Sequence, residues 1–293
     1  MAPRSKNSLS CCRKKFIVKA KNLHLELGAT TKIMGILNMT PDSFSSDGLL
    51  KKQLNHCVSH ALKLIKNGAD IIDVGGESTQ PGAKKITVDQ EISRVIPIIE
   101  KLSKETKIPI SIDTYKPEVA KKALEAGACI VNTVMGTKIT KAMLRVIQEK
   151  QAAIILMHIQ GTPKTMQKNI RYHNLITEIS LGLKKSIEKC LENGIKSDRM
   201  IIDPGIGFGK TVEDNLEIIQ RLAEFKTLNK PILIGTSRKS FIGKTLQKSV
   251  SNRLMGTAAS VSASILNGAH IIRVHDISEM RDVADLTDAI INV

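Results

Sequence analysis

The stretch D-I-I-D-V-G-G-E-S-T, residues 70–79, carries the pattern that decides the fold: a short apolar run that ends in polar residues. A helical pattern, Gln53–Asn67, precedes it and stops before Gly68, as helices commonly stop before a glycine. A nearly continuous apolar run is typical of a strand that is buried on both faces of a parallel sheet. The stretch therefore predicts a helix followed by a buried parallel strand.

The same unit recurs along the chain. Further helical patterns occupy Pro117–Ala126, which stops at Gly127, and Asn252–Asn267, which stops at Gly268. Eight runs read as buried strands, and the gaps between them leave room for one helix each. The runs are Ile33–Asn38, Asp70–Gly76, Ile108–Asp113, Cys129–Val134, Ala153–His158, Met200–Gly205, Pro231–Ser237 and Ile271–Asp276. This repeat predicts an α/β fold, a (β/α)8 TIM barrel, which needs roughly 250 of the 293 residues.

An open, doubly wound sheet is the alternative fold, and it would place its ligand at one switch point beside a Gly-rich loop. The distribution of polar residues favours the barrel, because nearly every predicted strand ends in a polar group and barrel strands bring their carboxyl ends to one mouth. The strand-end residues are Asn38, Asp73, Glu77, Asp113, Asn132, His158, Asp203, Ser237, Arg238, Lys239, Arg273, His275 and Asp276.

The amino-terminal region precedes the first barrel strand. Phe16–Ala20 and Leu23–Leu27 alternate apolar and polar positions, which predicts a short β-hairpin that closes the bottom of the barrel. We expect residues 1–15 to be a disordered basic tail, with Arg13 and its two lysine neighbours in solvent, and residues 16–293 to form a single catalytic domain, because no linker interrupts them. Without an apolar run of about 18 residues or a secretion signal, the expected location is cytoplasmic.

Composition narrows the classes of partner. The net charge of +16 would attract nucleic acid, an acidic membrane surface or a small anionic substrate. Only 2% of residues are aromatic and none is Trp, so the stacking platforms of single-stranded nucleic-acid binders are scarce. The five cysteines show no C-x-x-C spacing and are expected to be reduced thiols. We therefore expect neither nucleic acid nor a membrane as a partner.

Two long loops follow the first two predicted strands. The first, N-M-T-P-D-S-F-S-S-D-G at 38–48, is rich in turn formers and is interpreted as a lid, or else as an ordinary surface connection. Its Asn38 can bind a metal or a phosphate oxygen. The second, G-G-E-S-T-Q-P-G at 75–82, lets backbone amides approach an anion beside the hydroxyls of Ser78 and Thr79, although its glycines can equally serve the turn.

Asp113, Asn132 and Asp203 end three different predicted strands. A single aspartate there is more often a helix N-cap, but three such groups at one mouth can match the donors and acceptors of a flat nitrogen heterocycle. None has the His and Cys spacing of a tight metal site, so no permanently bound metal is expected.

Cationic residues follow the last two predicted strands, where phosphate sites often lie in this fold. They come from G-T-S-R-K-S-F-I-G at 235–243 and R-V-H-D at 273–276, and they are Arg238, Lys239, Arg273 and His275. A pyrophosphate group would neutralise them; alternatively they pair with Asp113 and Asp203 as a structural network. The stretch D-P-G-I-G-F-G-K-T at 203–211 lacks P-loop spacing, so its glycines are expected to let Phe208 line a pocket.

Over roughly residues 33–290, the chain resembles the dihydropteroate synthases of the folate pathway. Seven motifs carry the resemblance, in family order: I-M-G-I-L-N-M-T-P-D-S-F, D-V-G-G-E-S-T-x-P-G, S-I-D-T, L-M-H-I-Q-G-T-P-x-T-M-Q, D-P-G-I-G-F-G-K-T, S-R-K-S-F-I-G and R-V-H-D. The resemblance implies a transferase that joins 6-hydroxymethyl-7,8-dihydropterin diphosphate to 4-aminobenzoate, forms 7,8-dihydropteroate, releases pyrophosphate, uses Mg2+ and is a homodimer.

The resemblance also implies residue roles. The catalytic residues would be Asp113, Lys239, Arg273 and His275. The pterin would be bound by Asp113, Asn132, Asp203, Lys239 and Arg273, and the diphosphate by Asn38, Thr79, Arg273 and His275, with Mg2+ near Asn38. The aminobenzoate site would be formed by Phe44, Thr79, Pro81, Phe208, Lys239 and Ser240.

The chemistry of these residues agrees with a dissociative substitution. Departing pyrophosphate needs positive charge, which Arg273, His275 and Mg2+ supply, and the pterin methylene cation needs negative charge, for which Asp113 is the candidate. The aromatic amine then attacks a formed electrophile, so no strong general base is required.

The chain departs from the family pattern at two positions. Gln80 stands where many relatives have Arg, which predicts weaker diphosphate binding, and Thr133 stands where many have Asp. Pterin-binding methyltransferases are the competing enzyme class, but they do not need the cationic cluster. A basic barrel that binds nucleic acid would need a charged stripe along its outer helices.

Overall fold

The computed structural model describes residues 13–39, 50–78, 85–162, 165–167 and 170–293. Its strands are β1 (Phe16–Ala20), β2 (Leu23–Leu27), β3 (Lys32–Asn38), β4 (Ile71–Gly75), β5 (Ile110–Asp113), β6 (Ile130–Thr133), β7 (Ala153–Met157), β8 (Met200–Asp203), β9 (Leu233–Ile234) and β10 (Ile271–Val274). Its helices are α1 (Leu50–Lys66), α2 (Val88–Glu105), α3 (Pro117–Ala126), α4 (Lys141–Glu149), α5 (Leu175–Glu192), α6 (Val212–Gln220), α7 (Ser240–Leu246), α8 (Leu254–Leu266) and α9 (Ile277–Ile291).

Strands β3 to β10 form one parallel sheet in the order β8-β7-β6-β5-β4-β3-β10-β9. A parallel bridge between Ile202 and Ile232, with the Ile202 amide donating to the Pro231 carbonyl at 3.0 Å, joins the two ends of the sheet. The predicted (β/α)8 barrel is therefore confirmed, and the open doubly wound sheet is wrong.

The β1–β2 hairpin closes the bottom of the barrel, as its alternating pattern predicts. Strand β1 pairs with β2 in an antiparallel register that joins Phe16 to Leu27. The apolar face of the hairpin packs into the barrel interior against side chains from the amino-terminal halves of the barrel strands. The cluster comprises Val18, Leu23, Leu25, Leu27, Met34, Ile71, Cys129, Ile130, Ala153, Ile155, Ile201, Leu233 and Ile271.

Strand and helix boundaries differ slightly from the predicted ones. Helix α3 has the predicted bounds, and Gly127 follows its last residue. Gly127 has a φ of +122°, and a Cβ added there would lie 2.4 Å from the Ser103 side chain, so a larger residue would not fit. Six of the eight barrel strands end one to three residues before the predicted bound, for example β7 at Met157 and β10 at Val274. Helix α8 begins at Leu254 instead of Asn252, since a short 3-10 turn over Val250–Asn252 precedes it. Within the described ranges, the structure contains no helix of the length and apolarity that a membrane crossing requires.

The expectation that Arg13 is a solvated part of a disordered tail is wrong. Only 6% of Arg13 is exposed, and its guanidinium pairs with Asp288 of α9 and donates to the Thr31 hydroxyl and the Ala269 carbonyl. A carboxylate on α9, nearly 280 positions along the chain, supplies a buried partner that a local charge pattern does not reveal. Arg13 thereby ties the start of the described chain to the last helix.

Replacing Arg13 with Met is expected to lower the free energy of unfolding by about 3 kcal/mol, because the buried Asp288 carboxylate loses its cation. Urea unfolding followed by circular dichroism measures the change. Arg145→Met is the matched control, since Arg145 forms an exposed pair with Glu149 on α4. Equal stability of the two variants would show that the Arg13 pair does not stabilise the fold.

Candidate active site

Three polar side chains and one arginine form a bonded cluster inside the carboxyl-terminal half of the barrel. Asp73 lies in β4, and Asp113 and Asn132 lie side by side at the ends of β5 and β6. Arg273 of β10 donates from Nε to Asp73 Oδ2 at 2.6 Å and from Nη2 to Asp113 Oδ2 at 2.9 Å. Asn132 Nδ2 also donates to Asp73 Oδ2, at 3.0 Å. Asp73 is thus the shared acceptor of the cluster.

Each of the two carboxylates in this cluster has one buried oxygen that takes no part in the bonds of the cluster. Asp73 Oδ1 and Asp113 Oδ1 have no hydrogen-bond partner among the described residues. Because buried polar atoms are almost always paired, two unpaired acceptors at the mouth of a barrel indicate a place for ligand N–H groups. This arrangement agrees with the predicted binding of a nitrogen heterocycle.

Burial brings the pKa of Asp113 close to neutrality. Desolvation raises it to about 7, Arg273 opposes the shift, and the negative charges of Asp73, Glu91 and Asp203 add to it. Burial likewise raises the pKa of Asp203, against the positive charge of Lys239. The charges of Asp73, Asp113, Asp203, Arg273 and Lys239 act on one another and so form one electrostatic unit.

Lys239 connects this unit to the loop that follows β8. Its ammonium donates to the Ile206 carbonyl and lies 4.9 Å from the centre of the Phe208 ring. Desolvation lowers the pKa of Lys239 to about 8, and Asp203 opposes the shift. That the glycines of this loop let Phe208 line a pocket stays a prediction; the structure shows Phe208 beside the Lys239 ammonium.

His275 lies at the rim of the same mouth. Its Nδ1 is 3.0 Å from Ser237 Oγ, and its backbone amide donates to the same hydroxyl at 3.2 Å. Partial desolvation and the positive charges of Arg273 and Arg238 lower its pKa to about 4. The imidazole is therefore neutral at pH 7.

The cationic residues do not all face one cavity. Arg238 has a left-handed backbone, with φ of +56°, and its guanidinium forms an ion pair with Asp276 instead. The alternative prediction, that these cations pair with Asp113 and Asp203 in a structural network, is correct in part. Arg273 pairs with Asp113, but its other partner is Asp73 and not Asp203. Lys239 and His275 instead bond the Ile206 carbonyl and the Ser237 hydroxyl.

Other sequence-predicted residues are placed as follows. The Asn38 amide oxygen lies beside Gly75, 3.3 Å from a Cβ built there, and Asp113 Cβ lies 3.7 Å from the same point, so Asn38 borders the cluster. Ser240 is the first residue of α7, directly after Lys239. Four residues named from the sequence lie outside the described ranges: Phe44, Thr79, Gln80 and Pro81.

The sequence did not reveal the contacts of two lysines, the half-buried Lys116 and the buried Lys210. Lys116 Nζ bonds Glu77 at 2.5 Å, Glu91 at 2.6 Å and the Ile86 carbonyl at 2.9 Å, and so joins the two flanks of residues 79–84. Lys210 Nζ lies 3.1 Å from His158 Nδ1. The sequence signals for these contacts were the positions of the two lysines: Lys210 directly follows a glycine-rich loop, and Lys116 follows shortly after S-I-D-T.

Comparison with known proteins places this geometry in a family. The family model described as "Pterin binding enzyme" matches residues 34–275. A curated dihydropteroate synthase from Synechocystis is 44% identical over 264 residues, which cover 90% of this chain and 91% of that protein. The dihydropteroate synthase of Yersinia pestis, solved with a sulfonamide drug, has a TM-score of 0.88 and 35% identity over 95% of this chain and all of that one. The enzyme of Xanthomonas albilineans, solved with 4-aminobenzoic acid, has a TM-score of 0.86 and 35% identity over 96% of this chain and all of that one.

Proposed function

The chain belongs to the dihydropteroate synthase family of pterin-binding enzymes, and from that membership we propose the reaction it catalyses. The proposed reaction joins 6-hydroxymethyl-7,8-dihydropterin diphosphate to 4-aminobenzoate, gives 7,8-dihydropteroate and releases pyrophosphate. One observation carries the proposal: two unpaired carboxylate oxygens, of Asp73 and Asp113, lie next to Arg273 at the barrel mouth. They offer acceptors for the N–H groups of a pterin.

The pterin lies across the bonded cluster in this proposal. The unpaired oxygens of Asp73 and Asp113, together with Asp203, accept ring N–H donors. Asn132 and Lys239 donate to ring acceptors. Arg273 stacks on the ring. Its bonds to Asp73 and Asp113 hold its guanidinium next to the place that the ring occupies. Burial, which raises the pKa values of Asp113 and Asp203, also strengthens each bond to the ligand because competing water is excluded.

The diphosphate lies towards Asn38, Arg273 and His275, with Thr79 as a further contact. Mg2+ would supply a Lewis acid for the departing oxygen. Among the described residues no cluster of three His, Cys, Asp or Glu side chains is found. The Asn38 amide oxygen fits a Mg2+ ion that takes most of its ligands from substrate phosphates and water, as Mg2+ usually does.

The chemical step is a dissociative substitution. The bond between the pterin methylene carbon and the diphosphate oxygen breaks, and its electron pair leaves with pyrophosphate. Arg273 and His275 stabilise the charge on the leaving group, and the Asp113 carboxylate stabilises the methylene cation. The amine of 4-aminobenzoate, held by Phe208, Lys239 and Ser240 together with Phe44, Thr79 and Pro81, then forms the new bond and loses a proton.

Mixing the two substrates with the purified protein and Mg2+ tests this function. Stoichiometric formation of pyrophosphate and dihydropteroate supports it, and a sulfonamide should compete with 4-aminobenzoate. Methyl transfer from a methylated folate to a corrinoid protein, without pyrophosphate release, would assign the chain to the competing methyltransferase class. A cytoplasmic location remains a prediction from the sequence.

We also propose that the protein is a homodimer that pairs through α8 and α9. Three large apolar side chains on these neighbouring helices are widely exposed: Met255 by 77%, Leu286 by 66% and Ile290 by 62%. Large apolar side chains exposed on neighbouring outer helices are typical of a surface that a second copy covers.

The variant Met255→Glu/Leu286→Glu is expected to be monomeric, because each buried charge would oppose the contact. Sedimentation velocity at micromolar concentration measures the oligomeric state. Leu181→Glu, on the exposed face of α5, is the control and should remain dimeric. A monomeric wild-type protein would contradict the proposal.

A further inference from the structure

The loop between β8 and α6 is held by one side chain at each of four consecutive carbonyl groups. Lys239 donates to Ile206, Gln167 to Gly207 at 3.2 Å, Lys210 to Phe208 at 3.0 Å and Tyr172 to Gly209 at 2.9 Å. Positive φ angles at Gly205, Gly207 and Gly209 turn these carbonyls in different directions. The loop therefore has a conformation set by its partners.

Lys210 is the buried member of this group. Only 3% of it is exposed, and its ammonium is shared between the Phe208 carbonyl and His158 Nδ1. Burial and Lys210 itself hold the pKa of His158 far below its usual range, so the imidazole is neutral and Nδ1 accepts the lysine proton. Helix α5 packs at Gly182 against the same ring, with a Cβ built there 3.1 Å from His158 Cδ2. The acceptor is thus fixed in place.

The Phe208 carbonyl and ring belong to one residue, so the group that holds the carbonyl also limits where the ring lies. The second lysine, Lys239, lies 4.9 Å from the centre of the ring and is bonded to the Ile206 carbonyl two residues earlier. Phe208 is therefore located by two lysines, one inside the fold and one in the substrate site.

We propose that Lys210, oriented by His158, is a positioning residue that sets the Phe208 wall of the aminobenzoate site. The inference rests on the proposed function, because that function makes Phe208 part of the amine site. Lys210 touches neither substrate in this arrangement. Its loss should therefore weaken capture of the amine while leaving in place the bonded cluster of Asp73, Asp113, Asn132 and Arg273, whose groups come from β4, β5, β6 and β10.

Lys210→Met tests the inference, since Met keeps an unbranched side chain and removes the donor. The KM for 4-aminobenzoate should rise by up to about tenfold, the effect of one hydrogen bond. The KM for the pterin diphosphate and kcat should each stay within about threefold of wild type. Steady-state kinetics with each substrate varied in turn measure this division.

Lys230→Met is the matched control. Lys230 is also buried, and it also bonds a side chain and a carbonyl, Ser197 Oγ at 2.7 Å and Asn229 O at 3.2 Å. Unlike Lys210, it lies near the hairpin, at the end of the barrel opposite the site. Both variants should lose similar stability on heating, and only Lys210→Met should raise the KM for the amine. Equal KM values for the amine in the two variants would overturn the inference.

Two further measurements keep the test separate from folding and from the proposed function. If Lys210→Met does not fold, His158→Leu, which removes the acceptor, should raise the same KM in the same direction; an unchanged KM overturns the inference. A crystal structure of the folded variant reads the Phe208 position without any assay, and a ring still 4.9 Å from Lys239 Nζ would refute the positioning role. Failure of the wild-type protein to form dihydropteroate refutes the function alone.

Discussion

Replacing Lys239 with Met is expected to lower kcat/KM by about a thousandfold while the barrel stays folded. The lysine acts on both halves of the site, because its ammonium is electrostatically coupled to Asp203 and Asp113 on the pterin side and lies over Phe208 on the amine side. Met retains the length of the side chain and removes the charge and the donor. The loss therefore falls on both substrates at once.

Lys244→Met is the control for this variant. Lys244 lies on the same short helix, α7, with its side chain exposed to solvent, and the substitution removes the same net charge. Its kcat/KM should match that of the wild type. Near-normal turnover of Lys239→Met, with a normal unfolding midpoint, would remove Lys239 from the proposed site.

The pH dependence gives a second readout for Lys239. The pKa of Asp113 is about 7 and that of Lys239 about 8, so the pair of carboxylate and ammonium is most populated between them. In the wild type, kcat/KM should fall below pH 7 as Asp113 gains a proton and above pH 8 as Lys239 loses one. Lys239→Met should retain the acidic decline and lack the alkaline one.

The barrel was predictable because each strand has a local signature. The runs at 33–38 and 70–76 are apolar, short and bounded by turn residues, and repetition alone fixes their parallel arrangement. Strand ends are harder to locate, since residues such as His158 belong to the strand pattern in sequence but lie beyond the end of the observed strand. The difference is confined to a few positions at each boundary.

The partners of buried charges could not be predicted in the same way. Nothing in the sequence distinguishes Asp73 from Asp203 as the partner of Arg273, because all three are strand-end residues separated by tens to hundreds of positions. Only the barrel register brings Asp73 within reach of Nε. Arg13 shows the same limit. Its place in a basic run predicted a solvated side chain, but the side chain is buried and pairs with Asp288 on the last helix.

Asp73 is the site residue that the family resemblance did not name, and Asp73→Asn is expected to lower kcat/KM by about tenfold to a hundredfold. The substitution keeps one oxygen to accept from Asn132 or Arg273 but removes a negative charge that holds a guanidinium. Charge-assisted bonds of this kind contribute about 1.5–3 kcal/mol, and each 1.4 kcal/mol corresponds to roughly tenfold. The effect should lie mainly in the KM for the pterin diphosphate.

The pH profile separates an electrostatic role from a merely structural one. The negative charge of Asp73 contributes to raising the pKa of Asp113, so its removal should lower that pKa and move the acidic decline of kcat/KM to below pH 7. Asp70→Asn is the control, because Asp70 precedes the same strand and pairs with Lys32 and Arg281 at its amino-terminal end. That variant should lose stability and keep the wild-type profile. If the acidic decline of kcat/KM does not move in Asp73→Asn, Asp73 has only a structural role and the pKa of Asp113 is set by other groups.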